Sequence, residues 1–122
     1  VSVIDVHRVQ GVAIVVGWGL LFVWGLGLFL RKRDAGRLYW GLLVVLQLAL
    51  GLQLVAGLVQ LALGGQPQIL HWVYGAVLPA GVLVLCHVLT RGLVQPPYHL
   101  FFTWAALLVF GLTGRALMTG FA

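Results

Sequence analysis

A chain of 122 residues that is 62% hydrophobic and 7% charged has too few charges to clothe a soluble domain, which carries about 25%. Its net charge of +5 sits in short loops between apolar runs and forms no aromatic-interleaved basic stripe, so no nucleic-acid partner is expected and lipid is the solvent this surface suits. A single cysteine, Cys86, lies within an apolar run, which excludes an intrachain disulfide framework or Cys-based metal site and leaves a small buried hydrophobe as the expected role.

A helix needs about 20 apolar residues to cross a bilayer core about 30 Å thick, and four stretches qualify. The first runs from about His7 to Leu30. Asp5 precedes it without a signal-peptide pattern; it reads as a helix-start residue, with proton handling beside His7 as the alternative. The charged turn from Arg31 to Arg37 ends the span. The second, about Leu38 to Leu63, carries Gln47, Gln53 and Gln60, whose amides are expected to bond between helices. A Gly/Pro turn, Gly64-Gly65-Gln66-Pro67, leads to the third span, about Ile69 to Leu89, with Pro79 expected to kink it. Gln95-Pro96-Pro97 leads to the fourth, about His99 to Met118. Gly17, Gly19, Gly25, Gly27, Gly41, Gly51 and Gly57 are expected to let helices approach closely. Tyr39, Trp40, Trp72, Tyr74, Tyr98 and Trp104 fall near span ends, as an aromatic belt does.

Short connections make consecutive helices antiparallel neighbours, so the expected fold is all-α: one domain over residues 1–122, an integral membrane up-down-up-down four-helix bundle. Arg31, Lys32, Arg33, Arg37 and Arg91 fall on one side, and Arg8 and Arg115 toward the other. The excess of positive charge places the first and third connections in the cytoplasm and both termini outside. The expected location is a prokaryotic plasma membrane.

One internal echo carries chemistry: His7-Arg8-Val9-Gln10-Gly11 against His71-Trp72-Val73-Tyr74-Gly75. Each histidine opens a span, and the glycine at i+4 lies on the same face one turn deeper. The topology sets His7 and His71 at similar depth near the outer face, and a missing side chain gives a flat porphyrin room beside each ligand. Two neutral imidazoles suit haem iron as an axial pair, and Arg8 and Arg115 suit its propionates. Taken singly, each histidine reads as an interfacial residue hydrogen-bonded to water or headgroups, and Arg8 as a snorkelling anchor; matched glycines and depth favour the haem pair. His87 and His99 lie toward the cytoplasmic side with Arg91 and Thr103, not glycine, at i+4. At 100° per residue His71 and His87 fall on roughly opposite faces, which disfavours a second haem.

The order His7-Arg8 with Gly11, a basic loop from Arg31 to Arg33, Leu46-Gln47 with Gly51, then His71 resembles haem A synthase over roughly residues 4 to 90. That family is typically eight-spanning, built from two similar four-helix halves, each with a histidine pair; this chain looks like one half. The resemblance implies that His7 and His71 ligate haem on the extracytoplasmic side. The family's catalytic half has a glutamate three residues before its first histidine, where Ile4 stands here with Asp5 beside it. Three functions follow as expectations: a membrane b-type haem protein for electron transfer or haem holding; a half-length haem A synthase oxidising haem o, with Asp5 assisting; or a cofactor-free structural subunit. The cofactor is expected to be haem b, or haem o or a. Expected partners are the bilayer and either further copies of the chain or subunits of a respiratory complex.

Overall fold

The first helix, α1 (Val3–Leu30), begins four residues before the expected start at His7 and carries Asp5 in its first turn, where a carboxylate suits the positive end of the helix dipole. The structure, a computed structural model, describes residues 3–64, 69–91 and 98–120. The turns at Gly65-Gln66-Pro67 and Gln95-Pro96-Pro97 lie outside the described residues. α1 closes with Lys32 in the left-handed region at φ 54°, the Arg33 N–H donating to the Leu28 carbonyl at 2.9 Å. α2 (Arg37–Ala62) starts after Gly36 and ends in a turn through Gly64, at φ +96°, a conformation that suits glycine. α3 (Ile69–Thr90) and α4 (Tyr98–Gly120) complete the chain, and no strand occurs among the described residues. Each helix contains a segment long and apolar enough to cross a membrane: Asp5–Leu30, Arg37–Ala62, Ile69–Thr90 and His99–Met118.

α3 is not a uniform α-helix. Val73–Val77 form a π-helical turn, and its cause is Pro79. Proline has no N–H for the carbonyl four residues back, and its ring strikes that carbonyl; here that residue is Gly75. The backbone widens instead, and the Leu78 N–H reaches back five residues to Val73. A π-turn acts as one inserted residue. His71 and His87 are then fifteen effective steps apart rather than sixteen, about 60° around the axis instead of about 160°. The opposite-faces expectation fails for that reason.

The buried stripe on α1, Ile14, Trp18 and Leu21, follows helical spacing, as does Tyr39, Leu43 and Leu46 on α2. Leu83 and Cys86 from α3, and Phe102, Ala105, Ala106 and Val109 from α4, complete the core. Glycines set the closest approaches. A Cβ at Gly17 would strike Leu46, one at Gly19 would lie 3.0 Å from Phe110, and one at Gly25 would strike Thr103. Gly27, Gly41 and Gly51 face nothing within 4 Å, so close packing accounts for only part of the glycine content. α1 lies along both α2 and α4, α3 lies along α4, and α2 packs its backbone closely against α1 alone among the described elements. α2 meets α3 through side chains: Gln47 with His87, and Gly57 beside Trp72.

Candidate functional site

The fold brings His7 and His71 together. Their rings lie 5.9 Å apart between centroids, at an interplanar angle of 68°. A first-row transition metal held at about 2 Å from one nitrogen of each ring sets imidazole centroids about 6 Å apart. The spacing is that of an ordinary edge-on ring contact and is also compatible with two rings sharing one ion. No group of three or more His, Cys, Asp or Glu residues gathers among the described residues, and within that set the pair brings two imidazoles together. A planar macrocycle that brings its own equatorial donors is the kind of metal group that needs two ligands and no more.

Both histidines are held from neighbouring helices. The Nδ1–H of His71 donates to the Ala116 carbonyl of α4 at 2.8 Å; a carbonyl can only accept, so the proton sits on Nδ1 and the lone pair on Nε2. Metal-ligating histidines are ordinarily oriented in this way, through the ring nitrogen that does not bind metal. On the other side, the Gln53 amide of α2 donates to the His7 carbonyl at 2.6 Å. The Nδ1 of His7 is buried and has no hydrogen-bond partner among the described residues. A buried nitrogen without a partner is costly, and a metal ligand role would relieve it.

Gly11 and Gly75 serve these two bonds. A Cβ at Gly11 would come 3.2 Å from the Gln53 amide nitrogen, and one at Gly75 would come 3.2 Å from the Ala116 Cβ. Each glycine lets a neighbouring helix carry a polar group to the histidine one turn back. The room they make is filled by protein, so the recess beside each ligand foreseen from the sequence is not found there. The glycine beside His7 is Gly57 of α2, whose Cβ would lie 3.5 Å from His7 Cε1 and 3.7 Å from Trp72 Cη2.

Arg8 and Arg115 are exposed at the same end of the bundle, Arg115 adjoining the Ala116 carbonyl that holds His71. Asp5 is exposed and lies within regular helix, because α1 begins at Val3. Two residues of helix turn it about 200° from His7, so it does not share the face that meets His71.

At the opposite end, a second polar cluster forms around Tyr39. Its hydroxyl lies 2.8 Å from Thr103 Oγ1 and donates to the His99 carbonyl at 3.1 Å. His99 is buried, and neither ring nitrogen has a partner among the described residues. His87, by contrast, is exposed, with Nε2 2.7 Å from Gln47 Oε1 and its ring 5.0 Å from that of Phe102. The interhelical bonding expected of the span-two amides is found for Gln53 and Gln47; that Gln53 and Ala116 would hold the two histidines, and that His99 would be buried, was not legible from the sequence. A Pro79 four residues after Gly75 was the available signal for the π-turn.

No family model, curated protein or solved structure matches the chain.

Proposed function

We propose that this chain is an integral membrane protein holding a b-type haem between His7 and His71, near the extracytoplasmic face of a prokaryotic plasma membrane. The observation that carries the reading is the facing ring pair with the His71 Nδ1–H tied to a carbonyl, which presents Nε2 as a ready ligand. The reading includes an up-down-up-down arrangement with both termini outside. In support, contacts between α1 and α2 and between α1 and α4 run in opposite sequence directions, from Gln10 with Ala49 to Gly17 with Leu46, and from Gly11 with Leu117 to Gly25 with Thr103. Lys32 and Arg91, both left-handed, close the C-termini of α1 and α3, where positive charge also suits the helix dipole.

In this reading His7 and His71 would hold the haem iron, and Arg8 and Arg115 would pair with the propionates through their forked donors. Ala116 fixes the His71 tautomer, while Gln53 anchors the backbone that carries His7. A bound haem supplies one-electron redox chemistry, and the role is electron transfer or haem holding; haem o or a would use the same pair. The resemblance to one half of haem A synthase favours the same two histidines. The apolar outer face of α2, with Leu48, Leu52 and Val55 exposed, suits lipid, a second copy or subunits of a respiratory complex.

The test is a reduced-minus-oxidised absorption spectrum of protein made with ample haem. A b-type spectrum is expected for the wild type, lost in both His7→Ala and His71→Ala. A featureless wild-type spectrum would overturn the reading in favour of a cofactor-free structural subunit. Conversion of haem o to a more oxidised haem would move it to a synthase, with a proton-handling group other than Asp5.

A further inference from the structure

Below the π-turn, Pro79, Leu83, Cys86 and Thr90 form the buried stripe of α3, spaced as one face of a regular helix. α3 lies along α4 above the π-turn as well as below it, so the residue that continues the stripe upward meets the bundle interior. In an uninterrupted helix that residue is Trp72, seven residues before Pro79, because seven steps of 100° return to within about 20° of the start. His71, eight steps away, would point about 80° off the stripe. The π-turn at Val73–Val77 takes up one residue more without advancing the phase of the helix. His71 is then seven effective steps from Pro79 and falls on the stripe, whereas Trp72 falls about 120° from it. The contacts agree on both counts. His71 bonds to the Ala116 carbonyl of α4 and its ring meets that of His7, while the Trp72 indole lies beside Gly57 of α2.

We infer that Pro79 is the positioning residue of the outer site: by holding one extra residue in α3, it turns His71, in place of Trp72, toward His7. It stands about two turns from His71 and acts through the phase of the helix. A prolyl nitrogen has no hydrogen for the Gly75 carbonyl, and the Leu78 N–H bonds to Val73 instead. An alanine here supplies the missing donor and removes the ring that keeps the turn wide. Leu83 and Cys86 stay seated in the core, so the straightened upper part must rotate by one helical step, about 100°. That rotation carries His71 away from His7 and Ala116 and brings Trp72 to the same direction at the same depth. As an assignment about haem, the inference rests on His7 and His71 being the ligands; as a statement of which side chain faces His7, it does not.

The haem-free test is cross-linking of the full chain in lipid nanodiscs with a short bis-methanethiosulfonate. In a Cys86→Ala background, His7→Cys is combined with His71→Cys or with Trp72→Cys. With Pro79 in place, positions 7 and 71 should link several-fold faster than 7 and 72, and Pro79→Ala should reverse the order. An order unchanged by Pro79→Ala overturns the inference, whatever the haem spectrum shows. Haem binding is the second readout, and Pro79→Ala should weaken it about tenfold or more, as disturbance of a metal-bound histidine implies. Two further changes should each restore binding to the Pro79→Ala chain. Deleting the exposed Val77 removes the extra residue and returns His71 to the stripe. Exchanging the side chains, His71→Trp with Trp72→His, puts the imidazole on the residue that now faces inward. The same exchange with Pro79 intact should abolish binding, a result that a general failure of Pro79→Ala to fold does not produce. Failure of both rescues, or binding by the exchanged chain that keeps Pro79, overturns the role. A featureless wild-type spectrum with a reversed cross-linking order would refute the haem reading and leave the positioning role standing.

Discussion

Gly75→Ala is expected to weaken haem binding roughly ten- to a hundredfold, the range found when a partner that orients a metal-bound histidine is disturbed, and Ala116→Gly in the same chain is expected to restore it. The added methyl of Gly75→Ala would lie 3.2 Å from the Ala116 Cβ, closer than two methyl carbons pack at rest. α4 must back away by a few tenths of an ångström, and the carbonyl that it moves is the one accepting from His71 Nδ1 at 2.8 Å. Removing the opposing methyl with Ala116→Gly lets the helices close again and keeps the carbonyl, since the carbonyl belongs to the backbone. Haem titration of the single and double variants in detergent decides the matter. If Gly75 instead gives room to the porphyrin itself, Ala116→Gly cannot rescue it, and the double variant will bind as weakly as the single. A matched control is Gly81→Ala on the same helix, whose Cβ meets nothing within 4 Å and which should leave affinity unchanged.

Gly25→Ala should be the most damaging small substitution for the fold, costing about 2–4 kcal/mol as overpacking is added to a disturbed buried hydrogen-bond set. Gly25 is buried against Thr103, and a Cβ there would strike the Thr103 hydroxyl and methyl together. Thr103 cannot turn aside cheaply. It is buried, its hydroxyl lies 2.8 Å from that of Tyr39, and it also donates to the His99 carbonyl at 2.9 Å. Relief by rotation gives up the Thr103 bond to the buried His99 carbonyl, and relief by separation opens the α1–α4 seam. Thermal unfolding in detergent should show a large drop in midpoint for Gly25→Ala. Gly27→Ala, two residues on and facing open space, should match the wild type. Equal midpoints for the two variants would mean that α1 and α4 do not approach at Gly25 as described.

The apolar runs made the four helices legible, because nothing but a helix can carry so many apolar residues through hydrocarbon with its backbone satisfied. The meeting of His7 and His71 was legible too: three short connections fix the ends of the spans, and both histidines open spans that start at the same end. Rotation of each helix about its axis was not legible. Whether Gly11 looks into open space or at Gln53 depends on how α2 packs, and the approach of Gly57 to His7 depends on the same thing. The π-turn hid for another reason. A uniform 100° per residue was assumed across Pro79, where the missing N–H makes that assumption fail. Asp5 shows the limit at helix starts. A frayed end would have left it free to approach His7, whereas the helix already runs from Val3 and carries it round to another face.

The contact of Gly25 with Thr103, joined to Tyr39, ties α1, α4 and α2 at one point. His7 lies eighteen residues up α1 from that point, a lever about 27 Å long at 1.5 Å per residue. Along that length Gly17 against Leu46, Gly19 against Phe110 and the buried Ile14, Trp18 and Leu21 seat α1 on its neighbours, and Gln53 holds its far end through the His7 carbonyl. The helix is thus clamped at both ends, and the separation of the two imidazoles is inherited from contacts spread over the whole seam rather than from the residues beside them alone.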